Sequence, residues 1–239
     1  MKILEAQGVC KSFGGLAAVN KVDFEVEKGE IMGLIGPNGA GKTTFFNLIS
    51  GAITLDTGVI SFSGNRISGR KPYHICRAGI GRTFQIAKNF PGMPVRENVM
   101  MGAMFGKAKQ NQKQVGHEVD EILEFVGLSE FSGNHVPDLT LASQKRVEMA
   151  RALATKPSLL LLDETMAGLN PTEVEDAMGL VRKIRDSGIS IIMIEHVMRA
   201  IMTICDRIAV LHHGEKIAFG TPGEISTNSA VIEVYLGSS

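Results

Sequence analysis

Between residues 22 and 30 hydrophobic and polar positions alternate. Val22, Phe24 and Val26 are apolar, and Asp23, Glu25 and Glu27 are charged. A period of two with one charged face predicts a half-exposed strand of an antiparallel sheet. Residues 58–67, "GVISFSGNRI", predict a second such strand, with Ile60 and Phe62 inward and a turn at Ser63-Gly64-Asn65. Three other runs behave differently: "EIMGLIG" (30–36), "SLLLLDE" (158–164) and "ISIIMIEH" (189–196) are short and almost wholly apolar. Such runs suit parallel strands buried on both faces. Apart from Glu30, Ser158 and Ser190 at their beginnings, their polar residues stand at the C-terminal ends, where open α/β sheets bind ligands. Three strand ends therefore converge on one site.

The segments between read as helices. In "HEVDEILEFVG" (117–127), Val119, Ile122, Leu123 and Val126 form a stripe closed by Gly127. Residues 171–188 open at Pro171, close at Gly188, and turn Val174, Met178, Val181 and Ile184 inward. No convincing strand falls in 86–157, which predicts a helical insert. The expectation is one α/β domain spanning 1–239. Its core, 1–85 and 158–239, carries an antiparallel β-subdomain beside a mixed, largely parallel sheet, and 86–157 form a helical subdomain.

Composition adds boundaries. The chain has 239 residues, 44% hydrophobic and 21% charged, a globular balance. Twenty-five basic residues match 25 acidic ones, so no bulk charge points to nucleic acid. Cys10, Cys76 and Cys205 lack metal spacing and read as reduced, buried thiols of a cytosolic protein. Neither a signal-peptide core nor a membrane span is visible, so any membrane link is expected to run through a partner.

The chemistry starts at "GPNGAGKTT": Gly36, Pro37, Asn38, Gly39, Ala40, Gly41, Lys42, Thr43 and Thr44. A buried strand precedes it and an apolar helix follows, the context a phosphate-binding P-loop requires. Its N–H groups can wrap phosphates, Lys42 can reach the β- and γ-phosphates, and Thr43 offers a hydroxyl to Mg²⁺. Asp163 closes a buried strand, where a carboxylate needs a partner such as hydrated Mg²⁺. Glu164 is either a solvated carboxylate or the group that polarises a water for attack on the γ-phosphate. His196 ends the third run beside them. The other histidines (His74, His117, His135, His212, His213) are expected in helices or turns, solvated.

The order of these elements carries a resemblance. A P-loop, "TFQ" with Gln85, the helix opening at 139–146, "LLLLDE", "AGLN" and "IEH" together resemble the ATP-binding subunit of ABC transporters, along essentially the whole chain. "KSFGGLAAVNKVDFEV", "GIGRTFQIAKNFPGMPVRENVMMGA" and "RIAVLHHGEKIAFGTPGEI" resemble the ATPases of branched-chain amino acid importers, the longer of two paralogous types. The resemblance implies roles. Phe13 would stack on adenine, and Gln85 would touch Mg²⁺ and the attacking water. Glu164 would be the general base and His196 the γ-phosphate contact. Ala167 to Asn170 would cross a dimer interface, and residues 86–95 would meet a membrane permease.

The stretch "LTLASQKRVEMARAL" (139–153) departs from the family's L-S-G-G-Q. Leu139, Thr140, Leu141, Ala142 and Ser143 take those positions, or, in another register, Gln144 serves as the glutamine. Thr140 keeps a hydroxyl. Ala142 is expected to strain a glycine-only backbone and weaken the grip on phosphate. Thr165 stands where the family usually has proline. The expected molecule is a cytosolic ATPase, peripheral on the inner face of the membrane. It would use ATP and Mg²⁺, pair with a like or paralogous subunit, drive a permease and serve a solute-binding protein indirectly. Rival readings are a low-turnover regulatory subunit, another system such as lipid or lipopolysaccharide export, and an ATPase of DNA repair or translation. The last lacks a coiled-coil insertion, a second nucleotide-binding unit and a basic surplus.

Overall fold

The computed structural model describes residues 1–84, 89–106 and 112–236. Two sheets lie within them. One is antiparallel and ordered β2 (Leu16–Glu27), β1 (Lys2–Phe13), β4 (Thr57–Phe62), β5 (Asn65–Arg66). The alternation at 22–27 places Val22, Phe24 and Val26 inside. Val26 lies opposite Leu4 and Phe24 opposite Ala6. The apolar run 58–67 breaks at Ser63-Gly64 into the β4–β5 hairpin. The pattern does not reveal β1, for a physical reason. Its register with β2 shifts repeatedly, and each bulge moves side chains out of strict alternation.

The second sheet runs β10 (Glu215–Gly220), β9 (Arg207–His212), β3 (Ile31–Ile35), β8 (Ser190–Ile194), β7 (Leu159–Asp163), β6 (Ile80–Arg82). Its neighbours pair in parallel except β10, which is antiparallel to β9. The three apolar runs are β3, β7 and β8, each wholly buried. Alternate side chains serve different cores. Leu160, Leu162, Ile191 and Met193 join the core packed under the helices. Leu159, Leu161, Ile192 and Ile194 join the core between the sheets, with Phe45 and Phe46 of α1 (Lys42–Ile49). Both faces being covered explains why these strands read as continuous apolar runs.

Between β6 and β7 stand α3 (Val95–Phe105), α4 (Gln112–Phe125) and α5 (Leu141–Ala154), following α2 (Pro72–Ala78). Helix α4 starts five residues before the apolar stripe suggests. Helices α3 and α5 touch backbone to backbone: a Cβ on Gly102 would fall 2.2 Å from the Arg151 carbonyl oxygen. Helix α6 (Pro171–Asp186) opens with a capping box, in which Asn170 accepts from the Glu173 N–H and Glu173 from the Asn170 N–H. Then come α7 (Met198–Ile204), α8 (Pro222–Thr227) and α9 (Ser229–Leu236). Two histidine expectations are corrected: His135 forms an isolated β-bridge with Pro94, and His212 closes strand β9, the two-residue turn to β10 beginning only at His213. All three cysteines are free thiols, but only Cys205 is buried; Cys10 and Cys76 are partly exposed, which corrects the expectation for those two. No helix of the described residues is long and apolar enough to cross a membrane.

Candidate functional site

The C-terminal ends of β3, β7 and β8 meet over the start of α1. Gly41 caps that helix with φ 99°, and a Cβ there would lie 2.3 Å from the Ala18 carbonyl oxygen. Gly39 (φ 79°) opens onto free space, which is what a backbone cradle for phosphate needs. Lys42 is buried and donates from Nζ to the carbonyls of Gly36 at 2.7 Å and Pro37 at 2.9 Å. Burial pulls its ammonium below the usual lysine range, while Glu164 and Asp163 oppose that. A cavity of 600 Å³ opens here. Asn38 to Thr44, Phe13, Leu16, Ala17, Ala18, Glu164, His196 and His213 line it.

Asp163 is 2% exposed. Its Oδ2 accepts from Arg82 at 3.1 Å, and Arg82 in turn donates to Asn47 Oδ1 and Ser50 Oγ. Its Oδ1 is buried without a hydrogen-bond partner. Burial pushes the carboxyl up from its usual range, with Arg82 pulling it back. An orphaned carboxylate oxygen at the end of a buried strand, near the hydroxyl-bearing start of α1, fits a hydrated Mg²⁺. That ion takes one or two carboxylates and draws its other ligands from phosphate and water. Such a site needs no cluster of three protein carboxylates or histidines, and none exists among the described residues.

Glu164 sits in left-handed backbone, φ 52°, at a cost on the order of 1–3 kcal/mol. Its Oε1 lies 3.0 Å from His196 Nε2, within hydrogen-bond distance. Strands β7 and β8 are neighbours, with Asp163 opposite Ile194, so the sheet itself sets the approach of the two residues.

The structure thus gathers P-loop residues 38–44, Phe13, Glu164 and His196 around one cavity, while Gly36, Pro37 and Asp163 stand behind its lining. Gln85 lies outside the described residues. Thr140, Ala142 and Ser143 do not line the cavity; they open α5 elsewhere. Here the backbone corrects the expectation of strain. Thr140 is the N-cap, its hydroxyl accepting from the Ser143 N–H, and Leu141 to Lys145 are helical with no positive φ. Ala142 therefore occupies ordinary helical backbone. Gln144 donates its side-chain amide to the Leu139 carbonyl.

Sequence reasoning missed several residues at the site. Arg82 grips Asp163 from three residues before Gln85. His213 reaches the cavity from the β9–β10 turn, its ring 4.0 Å from that of His212. Neither shows as a pattern, because each depends on which strands the fold makes neighbours.

Comparison with known proteins agrees with this geometry. The ABC transporter family model matches residues 19–167, and a model described as branched-chain amino acid ATP-binding cassette transporter matches 215–239. The chain is 37% identical to the high-affinity branched-chain amino acid transport ATP-binding protein BraF of Pseudomonas aeruginosa, over 98% of both chains. It is 38% identical to LivG of Escherichia coli K12, also over 98% of both. A solved nucleotide-free ATP-binding cassette from an ABC transporter superposes with a TM-score of 0.92 at 30% identity, covering all of both chains. The ADP conformation of such a cassette gives 0.91 at 30% identity, again over all of both chains. P-loop, buried aspartate and family match point the same way: the chain belongs to the ABC transporter ATPase family and is an ATP-binding subunit homologous to the ATPases of branched-chain amino acid import.

Proposed function

We propose that the chain hydrolyses Mg·ATP at the P-loop cavity, with Glu164 as general base, to drive uptake of a branched-chain amino acid or a related small solute. The observation that carries this reading is the shared cavity: a phosphate cradle, Glu164 and its histidine partner all face it. The relatives' names supply the cargo class.

Lys42 would exchange the carbonyls of Gly36 and Pro37 for phosphate oxygens, retaining its charge as it does so. Phe13, half-exposed at the cavity rim, offers a face for adenine. Asp163, Thr43 and Gln85 would hold Mg²⁺, which when bound neutralises phosphate charge. Glu164 would accept the proton of the attacking water, and His196 would steady the carboxylate and meet the γ-phosphate.

In this reading the chain is one cytoplasmic domain, peripheral on the membrane, whose helical part, 86–157, meets the permease through 86–95. Residues 86–88 lie outside the described residues. Phe90 is 38% exposed and lines an apolar cleft of 420 Å³ together with Phe84, Met101 and Phe105. A second ATPase subunit would bring its own helix opening, the counterpart of 140–143, to the P-loop described here.

The test is Glu164→Gln in the assembled transporter. Hydrolysis should slow by on the order of 10²–10⁴-fold while ATP still binds and holds the dimer. A mutant turning over at the wild-type rate would remove Glu164 from the chemistry.

A further inference from the structure

We propose that Glu195, Thr165 and Lys145 are positioning residues that hold Glu164 in its productive conformation; the inference rests on the reading of Glu164 as general base. Left-handed backbone is a conformation that a glutamate leaves unless it is held. At Glu164 the hold is visible on every side. Its N–H donates to the Ile194 carbonyl at 2.9 Å, carrying the β7–β8 ladder one residue past the strand. Its carbonyl accepts from Lys145 Nζ, on α5, at 2.8 Å. The next two residues hang from Glu195: the Thr165 hydroxyl at 3.2 Å and the Met166 N–H at 2.8 Å both donate to Oε1.

Glu195 is 2% exposed, and its Oε2 has no hydrogen-bond partner. A buried carboxylate left half satisfied is an expensive way to close a turn. What it secures is specific. Glu195 fixes the chain leaving Glu164, and the residue after Glu195 is His196, which touches the Glu164 carboxylate. One strand end therefore sets both the backbone of the base and its histidine partner. Thr165 adds a side-chain bond to the device. Proline, which the resembled pattern has at this position, carries no donor, so the hydroxyl bond to Glu195 cannot exist there. Lys145 extends the hold to the helix that opens at 140–143, linking that opening to the base 19 residues further along.

Thr165→Val removes the hydroxyl at nearly constant shape. In the assembled transporter its kcat for ATP hydrolysis should fall on the order of 10–10²-fold, the effect of misplacing a reacting group by about 1 Å. KM for ATP should stay close to wild type, and Thr165→Ser should recover most of the lost rate. Glu195→Ala and Lys145→Met should move kcat the same way. In a Glu164→Gln background, Glu195→Ala should slow the residual reaction no further, because the effect acts through Glu164.

Glu164→Gln at the wild-type rate would overturn the base reading and this inference with it. Glu164→Gln slow, with Thr165→Val at wild-type kcat, would overturn the positioning role alone. So would a raised KM with kcat unchanged, or a full further loss in the double variant. Should Glu195→Ala fail to fold, the Thr165→Val and Thr165→Ser pair decides the matter.

Discussion

Asp163 shows what one side chain is asked to do before any ligand arrives. It is an acid kept in a dry place by nearby cations: Arg82, from β6, pairs one oxygen while the other waits, and the Lys42 ammonium adds its charge. Such a pair adds little net stability, yet losing one member leaves a naked buried charge. Arg82→Ala should lower unfolding stability by about 3–5 kcal/mol, read from urea unfolding at neutral pH. A loss under 1 kcal/mol would mean that water reaches Asp163. Glu195 gives a signed pH prediction. Burial pushes its carboxyl above the usual glutamate range, opposed by the Met166 and Thr165 hydrogen bonds and by Lys145, while the nearby Glu164 pushes the same way as burial. A raised folded pKa means that the native state binds its proton more tightly than the unfolded chain. The stability this confers is present below the ordinary glutamate range and is lost as pH rises through the folded value. The wild type should therefore lose stability with rising pH across that window relative to Glu195→Gln. Parallel unfolding curves for the two proteins would contradict the shift.

At the scale of elements, the helix opening at 140–143 was legible in position but not in conformation. The sequence shows a polar start and a stripe of Val147, Ala150 and Leu153. It does not show that Thr140 caps the helix and carries Ala142 into regular helical backbone. Strain is thus no reason for a weak grip. What remains is the methyl of Ala142 and the larger side chain of Leu141, 46% exposed, standing where an incoming phosphate would approach the helix N–H groups. Restoring the family pattern with Leu141→Gly, Ala142→Gly and Ser143→Gln should raise turnover in the composite site proposed for this helix and a partner's P-loop, by up to roughly 10²–10³-fold, the value of one well-placed donor. It should also destabilise α5 by about 1–2 kcal/mol, since two glycines enter a helix. Equal ATPase rates before and after restoration would show that "LTLAS" is a competent variant. The buried strands were the easiest elements to read, because covering on both faces leaves continuous apolar runs. Strand β1 was lost to its bulges. Strand β6 is three residues long and holds only Ile80 and Arg82 around a glycine, too short for any period to register.

Across the whole molecule, the P-loop, Asp163, Glu164 and His196 could be read as one site, because parallel strands deliver their C-terminal ends together. The contacts that tune that site could not, although Glu195 stands at a strand end that the pattern shows. Arg82, Glu195 and Lys145 reach it by adjacency of β6, β8 and α5, which no single segment encodes. The apolar cleft beside α3 is the corresponding feature of the outer surface. Phe90→Asp with Met93→Asp should uncouple transport from ATP use while nucleotide affinity in the isolated subunit is kept; lost affinity would give 86–95 a folding role instead. One more consequence lies in the contact of Gly102 with the Arg151 carbonyl. Two helices that meet at bare backbone cannot be separated a little. Even alanine at 102 must shift one past the other, and the cleft wall moves with it. In a saturation library selected by growth on the transported solute, position 102 should appear as an empty column, rejecting small and large, polar and apolar residues alike. The neighbouring exposed Met104 should appear as a full one.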